Sequence, residues 1–135
     1  MIQRIQTVYL FLAVLLTTGT FFTPLFDRLI EDPAAWIFSA YMAASVFAMG
    51  LTGWSIFRFL DRDAQVSTVN KAIIFQTITI GVSIAVFFTI GPIRIDELGE
   101  LFAVGMLVLA LILQLLGRAS ILKDEKLVKS MDRIR

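Results

Sequence analysis

Four stretches of the chain contain no Asp, Glu, Lys or Arg: Ile5–Phe26, Pro33–Phe57, Ala72–Ile93 and Leu101–Gly117, of 22, 25, 22 and 17 residues. A helix that faces water carries a charged stripe, and none can be drawn on these segments. About 20 apolar residues at roughly 1.5 Å each cross the hydrocarbon core of a bilayer. Three stretches reach that length, and the fourth reaches it if its helix starts near Asp96. The composition agrees, with 58% hydrophobic residues and 17% charged ones, against about a quarter charged in soluble domains. The expected fold is an all-α membrane protein: a four-transmembrane-helix bundle with spans at about 5–26, 33–57, 72–93 and 97–117, followed by an amphipathic tail helix over 118–135.

Helix punctuation fits these bounds. Asp32-Pro33 sets a capping carboxylate before a proline suited to a first turn. Ser67, Thr68 or Asn70 can cap the third helix, and Gly91-Pro92 can end it. Asp96 can cap the fourth, with Glu97 and Glu100 at its positive end. The first span lacks a small-x-small cleavage site and is longer than a signal core, so it reads as a retained helix.

The missing residue types narrow the chemistry. Without Cys there is no disulfide, thiol nucleophile or iron–sulfur ligation, and without His the commonest zinc ligand, haem ligand and neutral-pH base is gone. No GxxxxGK[ST] loop is present, and a net charge of +1 calls for no nucleic acid. No ionisable side chain lies inside a span, which argues against an ion-coupled transporter. The expectation is a non-enzymatic protein with no cofactor, no metal and no nucleic-acid partner.

Ten of the twelve Lys and Arg fall before span one, in the Arg58–Lys71 loop or after Gly117, leaving Arg28 and Arg94 on the other side. The two faces then carry net +5 and −4. By the positive-inside rule both termini are cytoplasmic.

The opening MIQRIQTVYLFLA and the ending RASILKDEKLVKSMDRIR resemble the bacterial membrane family catalogued as domain of unknown function 4293, known mainly from Bacteroidota. The resemblance covers the chain and is specific at its two termini. It implies a four-span protein of a bacterial inner membrane, in a family without an established activity.

Within the spans, polar and small residues mark packing. Gln76 and Gln114 sit at similar distances inside Lys71 and Arg118, and form an expected intramembrane polar pair serving as helix–helix glue or as a polar notch. Ala40, Ala44, Ala48 and Thr52 recur every fourth residue, as do Thr77, Gly81, Ala85 and Thr89. The two stripes are expected to pack against each other, so that leucine at Gly81 would loosen the fold. Trp36, Tyr41, Trp54 and Tyr9 read as an interfacial aromatic belt.

From Ile121 the tail shows Leu127, Val128, Met131 and Ile134 on one side and Lys123, Lys126, Lys129 and Arg133 on the other. It could lie on an anionic inner leaflet or extend helix four. Arg4 is expected to pair with Asp124, Glu125 or Asp132, or else to act as a topology charge. Arg4, Lys123, Asp124, Glu125, Asp132 and Arg133 would together form a partner-binding surface. Two functions follow. One is an accessory or structural subunit docking with a larger membrane complex through its cytoplasmic face. The other is a small carrier, channel or lipid-handling protein, for which Thr17, Thr18, Thr20, Gln76 and Gln114 are the available polar lining.

Overall fold

The computed structural model describes residues 2–31, 35–89 and 98–134, with side chains described from residue 5 onward. The chain forms α1 (Ile2–Gly19), a 3-10 turn (Thr20–Phe22), α2 (Pro24–Ile30), α3 (Trp36–Phe57), α4 (Arg62–Thr89) and α5 (Leu98–Asp132). No strand occurs among the described residues. Four helices are long and apolar enough to cross a membrane, α1 running on through its 3-10 turn to Phe22. The chain therefore has the build of a multi-pass membrane protein. The capping pairs Asp32-Pro33 and Gly91-Pro92, together with Asp96, Glu97 and Arg94, lie outside the described residues.

The four long helices form a ring in the order α1, α3, α4, α5, with α1 and α5 in contact and α2 tucked beside α5. The buried positions of α5 are Glu100, Ala103, Leu107, Ala110, Gln114, Gly117, Ile121 and Asp124. Their steps alternate between three and four, the seven-residue seam of a left-handed bundle. On α4 the same alternation runs through Gln65, Val69, Ala72, Gln76, Thr79, Ser83 and Val86. Much of the seam is small or polar, while the large apolar side chains face outward: Phe88 is 84% exposed, Phe102 67% and Trp54 61%. This arrangement suits a lipid surround. Hydrocarbon gives no reward for hiding Phe or Leu, so close backbone approach and hydrogen bonds select what lies between helices.

Three boundaries differ from the sequence expectation. Span one ends near Phe22 rather than Phe26. Pro24 has no N–H to continue the helix, and Thr23 before it is extended at φ −104°, ψ 159°. The hydroxyls of Thr20 and Thr23 donate to the carbonyls of Thr17 (2.7 Å) and Thr20 (2.6 Å), which occupies acceptors freed at the break. The short α2 then buries Leu25 and Leu29 in the core.

The expected 14-residue basic loop is a turn over residues 58–61. Asp61 caps α4, accepting the Ala64 N–H at 3.1 Å. Ser67, Thr68 and Asn70 lie inside the helix, where the Thr68 hydroxyl donates to the Ala64 carbonyl. Finally, α5 runs unbroken for 35 residues, a length of about 52 Å. The tail is thus an extension of the fourth span rather than a separate helix laid on the membrane.

Tyr41 also departs from expectation. It is fully buried, with its hydroxyl 2.6 Å from the Thr20 hydroxyl, while Trp36 and Trp54 are exposed as an interfacial belt requires.

Candidate functional site

Polar contacts mark three levels along the bundle: an acidic end near α2, the middle, and a basic end where the N-terminus, the α3–α4 turn and the end of α5 meet.

In the middle, Gln76 and Gln114 do not bond to each other. Gln76 accepts from the Thr17 hydroxyl of α1 at 3.2 Å and donates to the Leu107 carbonyl of α5 at 3.2 Å. Gln114 donates to the Thr52 hydroxyl of α3 at 2.9 Å. Each amide therefore spans a diagonal of the ring, one joining α4 to α1 and the other α5 to α3. Similar distance from a flanking cation does not bring the two side chains together. Leu107, which Gln76 reaches, is seven residues from Gln114, about two turns along α5.

Gln114 Oε1 is buried and has no hydrogen-bond partner among the described residues. Replacing Gln76 with Leu is expected to cost about 1 kcal/mol. Gln114→Leu should cost less, because it also removes an unmatched acceptor. Thermal melts of the two variants in one detergent check that order.

The two small stripes are not partners. Ala44, Ala48 and Thr52 are buried, with Ala40 half-buried, but Thr77, Gly81 and Thr89 are exposed and Ala85 is half-buried. The helices α3 and α4 do pack together, yet α4 uses the face carrying Ala72, Gln76, Thr79 and Ser83. Turning that face outward would strand the Gln76 amide in hydrocarbon, which decides between the two stripes.

The acidic end holds a pair that the sequence reading treated as separate loop charges. Arg28 of α2 meets Glu100 of α5 at 2.6 Å, with both side chains 11% exposed. The Arg28 guanidinium also lies 5.9 Å from the Phe87 ring centre. Opposite charges in two short connections on one face were the available signal.

At the basic end, Gln6 of α1 donates to buried Asp124 of α5 at 2.5 Å, and Gln65 of α4 donates to the Ser55 carbonyl of α3 at 3.0 Å. The two ends of the chain are thus tied together by Gln6 and Asp124. The Arg4 side chain lies outside the described residues. Glu125 pairs with Lys129 one turn on. The rest of the expected docking surface divides. Asp124 is closed off by Gln6, Lys123 and Arg133 are exposed, and Glu125 and Asp132 line a groove.

That groove, of about 420 Å³, lies between the α3–α4 turn and the end of α5. Leu60, Asp61, Arg62, Asp63, Glu125, Val128, Lys129 and Asp132 line it, four carboxylates against two cations. Arg62 Nη1 is buried there without a hydrogen-bond partner among the described residues. Around it Leu60 is 88% exposed, Met131 69% and Val128 43%. Val128 and Met131 continue the three-four seam beyond Asp124, past the last position that another helix covers.

The sequence model of a family described as domain of unknown function (DUF4293) matches residues 2–42 and 31–134. The chain belongs to this family. Comparison with curated proteins and with solved structures returned no match. The DUF4293 match takes in both the Gln6 and the Asp124 ends of the bundle, so the junction at the basic end falls within the family's extent.

Proposed function

We propose that this protein is a non-enzymatic accessory or structural subunit of the bacterial inner membrane that docks with a larger membrane complex through its cytoplasmic face. The basic end is that face, by the positive-inside rule. The observation that carries the reading is the uncovered seam at the end of α5, where Val128 and Met131 stand beside an acidic, partly apolar groove. An apolar patch rimmed by charge suits a protein contact. The net negative lining favours an amphipathic partner segment with basic flanks. The amides of the interior bond across the bundle, which supports a packed scaffold over a carrier.

The test is purification of the full chain in mild detergent with native mass spectrometry, compared with Val128→Asp and Met131→Asp. The expected result is a defined heteromeric partner on the parent chain and at least a tenfold loss of it in both variants, with helicity and melting temperature unchanged. A chain that runs alone, or a partner retained by both variants, overturns the reading.

A further inference from the structure

The outward faces of the four long helices change character at different depths. On α5 the exposed residues Ile112, Leu116, Ala119, Lys123 and Lys126 follow one another in steps of three and four, and turn from apolar to charged past Leu116. On α4, exposed Ile78 and Ile74 give way to Lys71, Ser67 and Asp63. On α3, exposed Val46 and Phe47 lead instead to Trp54, and Phe57 at the end of the helix is 76% exposed. On α1, Leu15, Phe11 and Val8 lead to half-exposed Ile5.

Contacts between the helices fix which residues share a level. Arg118 of α5 donates to Asn70 of α4 at 2.6 Å. Toward α3, Phe75 stacks on Phe47 and Gln65 reaches the Ser55 carbonyl. Asn70, midway between Phe75 and Gln65, therefore lies level with Leu51, midway between Phe47 and Ser55. Phe57 is then about 9 Å nearer the basic end than Arg118. On α1, Leu10 lies against Gly117 and Gln6 bonds to Asp124, which sets Ile5 near the level of Asp124. Over the last turns of this end, the neighbours α1 and α3 thus expose Val8, Ile5, Trp54 and Phe57, where the neighbours α4 and α5 expose Ser67, Asp63, Lys123 and Lys126.

A level bilayer edge cannot suit both halves. An edge at Arg118 leaves Trp54 and Phe57 in water, and an edge at Phe57 draws the charges of α4 and α5 into hydrocarbon. Trp54 and Phe57 continue the outward face of a span by helical steps, so lipid is the material that extends over them. The helix α3 runs 22 residues without a charge and the charge-free part of α5 only 17, lengths of about 33 and 25 Å. Tilt of a bundle and local thinning of a bilayer both accommodate such a difference. We propose that the bilayer surface at the basic end meets the bundle obliquely, with lipid covering the α1–α3 flank as far as Phe57 and water reaching the α4–α5 flank from Ala119 onward. This oblique seat goes beyond the docking role, does not depend on it, and holds whichever leaflet the basic end faces.

The chain has no cysteine, so single cysteines report directly on contact with water. Gly53 of α3, where an added Cβ meets nothing within 4 Å, lies slightly nearer the basic end than exposed Ala119 of α5 by the matching above. Full-length Gly53→Cys and Ala119→Cys, each with the helicity and elution volume of the parent chain, are reconstituted into vesicles of phosphatidylcholine and phosphatidylglycerol. A charged maleimide is supplied on both sides of the membrane. Ala119→Cys should label at least tenfold faster than Gly53→Cys, and the two should label alike once dissolved in SDS. Equal rates in vesicles, whether fast or slow, would show a level edge and overturn the seat. Faster labelling of Gly53→Cys would overturn it too, and is the outcome if a protein partner rather than lipid covers the α3 flank, since the vesicles hold no other protein. A second measurement uses Trp36→Phe, which leaves Trp54 as the sole tryptophan. Phosphatidylcholine with dibrominated acyl chains should quench most of its emission, and emission left unquenched would put Trp54 in water and overturn the seat as well.

Discussion

Leucine at Gly117 should lower the melting temperature of the bundle sharply, while leucine at Gly81 should leave it nearly unchanged. A Cβ at Gly117 would lie 3.0 Å from Leu10 Cδ2, 3.2 Å from Leu10 Cγ and 3.8 Å from Tyr9 Cβ. At this contact α1 and α5 approach too closely for a branched side chain. Overpacking of this kind costs about 1–3 kcal/mol. The cost should fall at the upper end, because Gly117 lies on the seam between buried Gln114 and Ile121. Gly117→Ala should be milder, since the end of the Leu10 side chain can give by a few tenths of an ångström. At Gly81 an added Cβ meets nothing within 4 Å. A leucine there enters the lipid and replaces a poor helix former. Thermal melts of the three variants in one detergent decide the matter. If Gly81→Leu proves the most damaging, the outward assignment of that α4 face is wrong.

That reversal shows what the sequence disclosed and what it did not. The four spans were legible because a bilayer forbids charge over a length that counting can measure. The count stops at the first charge, however, whereas a helix does not. Asp61 begins α4 ten residues before Lys71, where the charges end, and α5 passes Arg118 without a break because neither Gly nor Pro follows Gly117. The inward face of α4 was harder to read, since Thr77-Gly81-Ala85-Thr89 and Thr79-Ser83 are both small and both helically spaced. Only Gln76 separates them, and it shares a face with Thr79 and Ser83 through steps of three and four. A polar residue was thus the better marker of the core than the small ones. At the basic end, the sequence put Arg4 forward for a tie between the chain's two ends. That Gln6 would make it, against a buried Asp124, depended on the seam of α5 continuing past the membrane. The groove beside Val128 could not be seen without the short α3–α4 turn, which brings Leu60 and Arg62 up to the tail.

Loss of either partner of the Arg28–Glu100 pair should destabilise the acidic end by about 3 kcal/mol, the cost typical of breaking a buried ion pair. Both side chains are 11% exposed and meet at 2.6 Å, so water cannot replace a missing partner well. The two losses should differ in size. Without Arg28, the Glu100 carboxylate still lies in the first turn of α5, where unpaired N–H groups and the helix dipole favour a negative charge. Without Glu100, the guanidinium loses the carboxylate that meets it at 2.6 Å and keeps the Phe87 face among its other contacts. Glu100→Ala should therefore be worse than Arg28→Ala, and the double variant should cost less than the two singles added together. Exchanging the charges, Arg28→Glu with Glu100→Arg, should recover only part of the loss, because it places a cation at the positive end of α5. Melting temperatures of the four variants test each step, and additive single costs would show that the contact carries no coupling. The pair lies at the end opposite the groove beside Val128. These variants should therefore weaken the bundle while leaving the retained partner fraction of the folded protein unchanged, just as Val128→Asp should remove the partner without weakening the bundle.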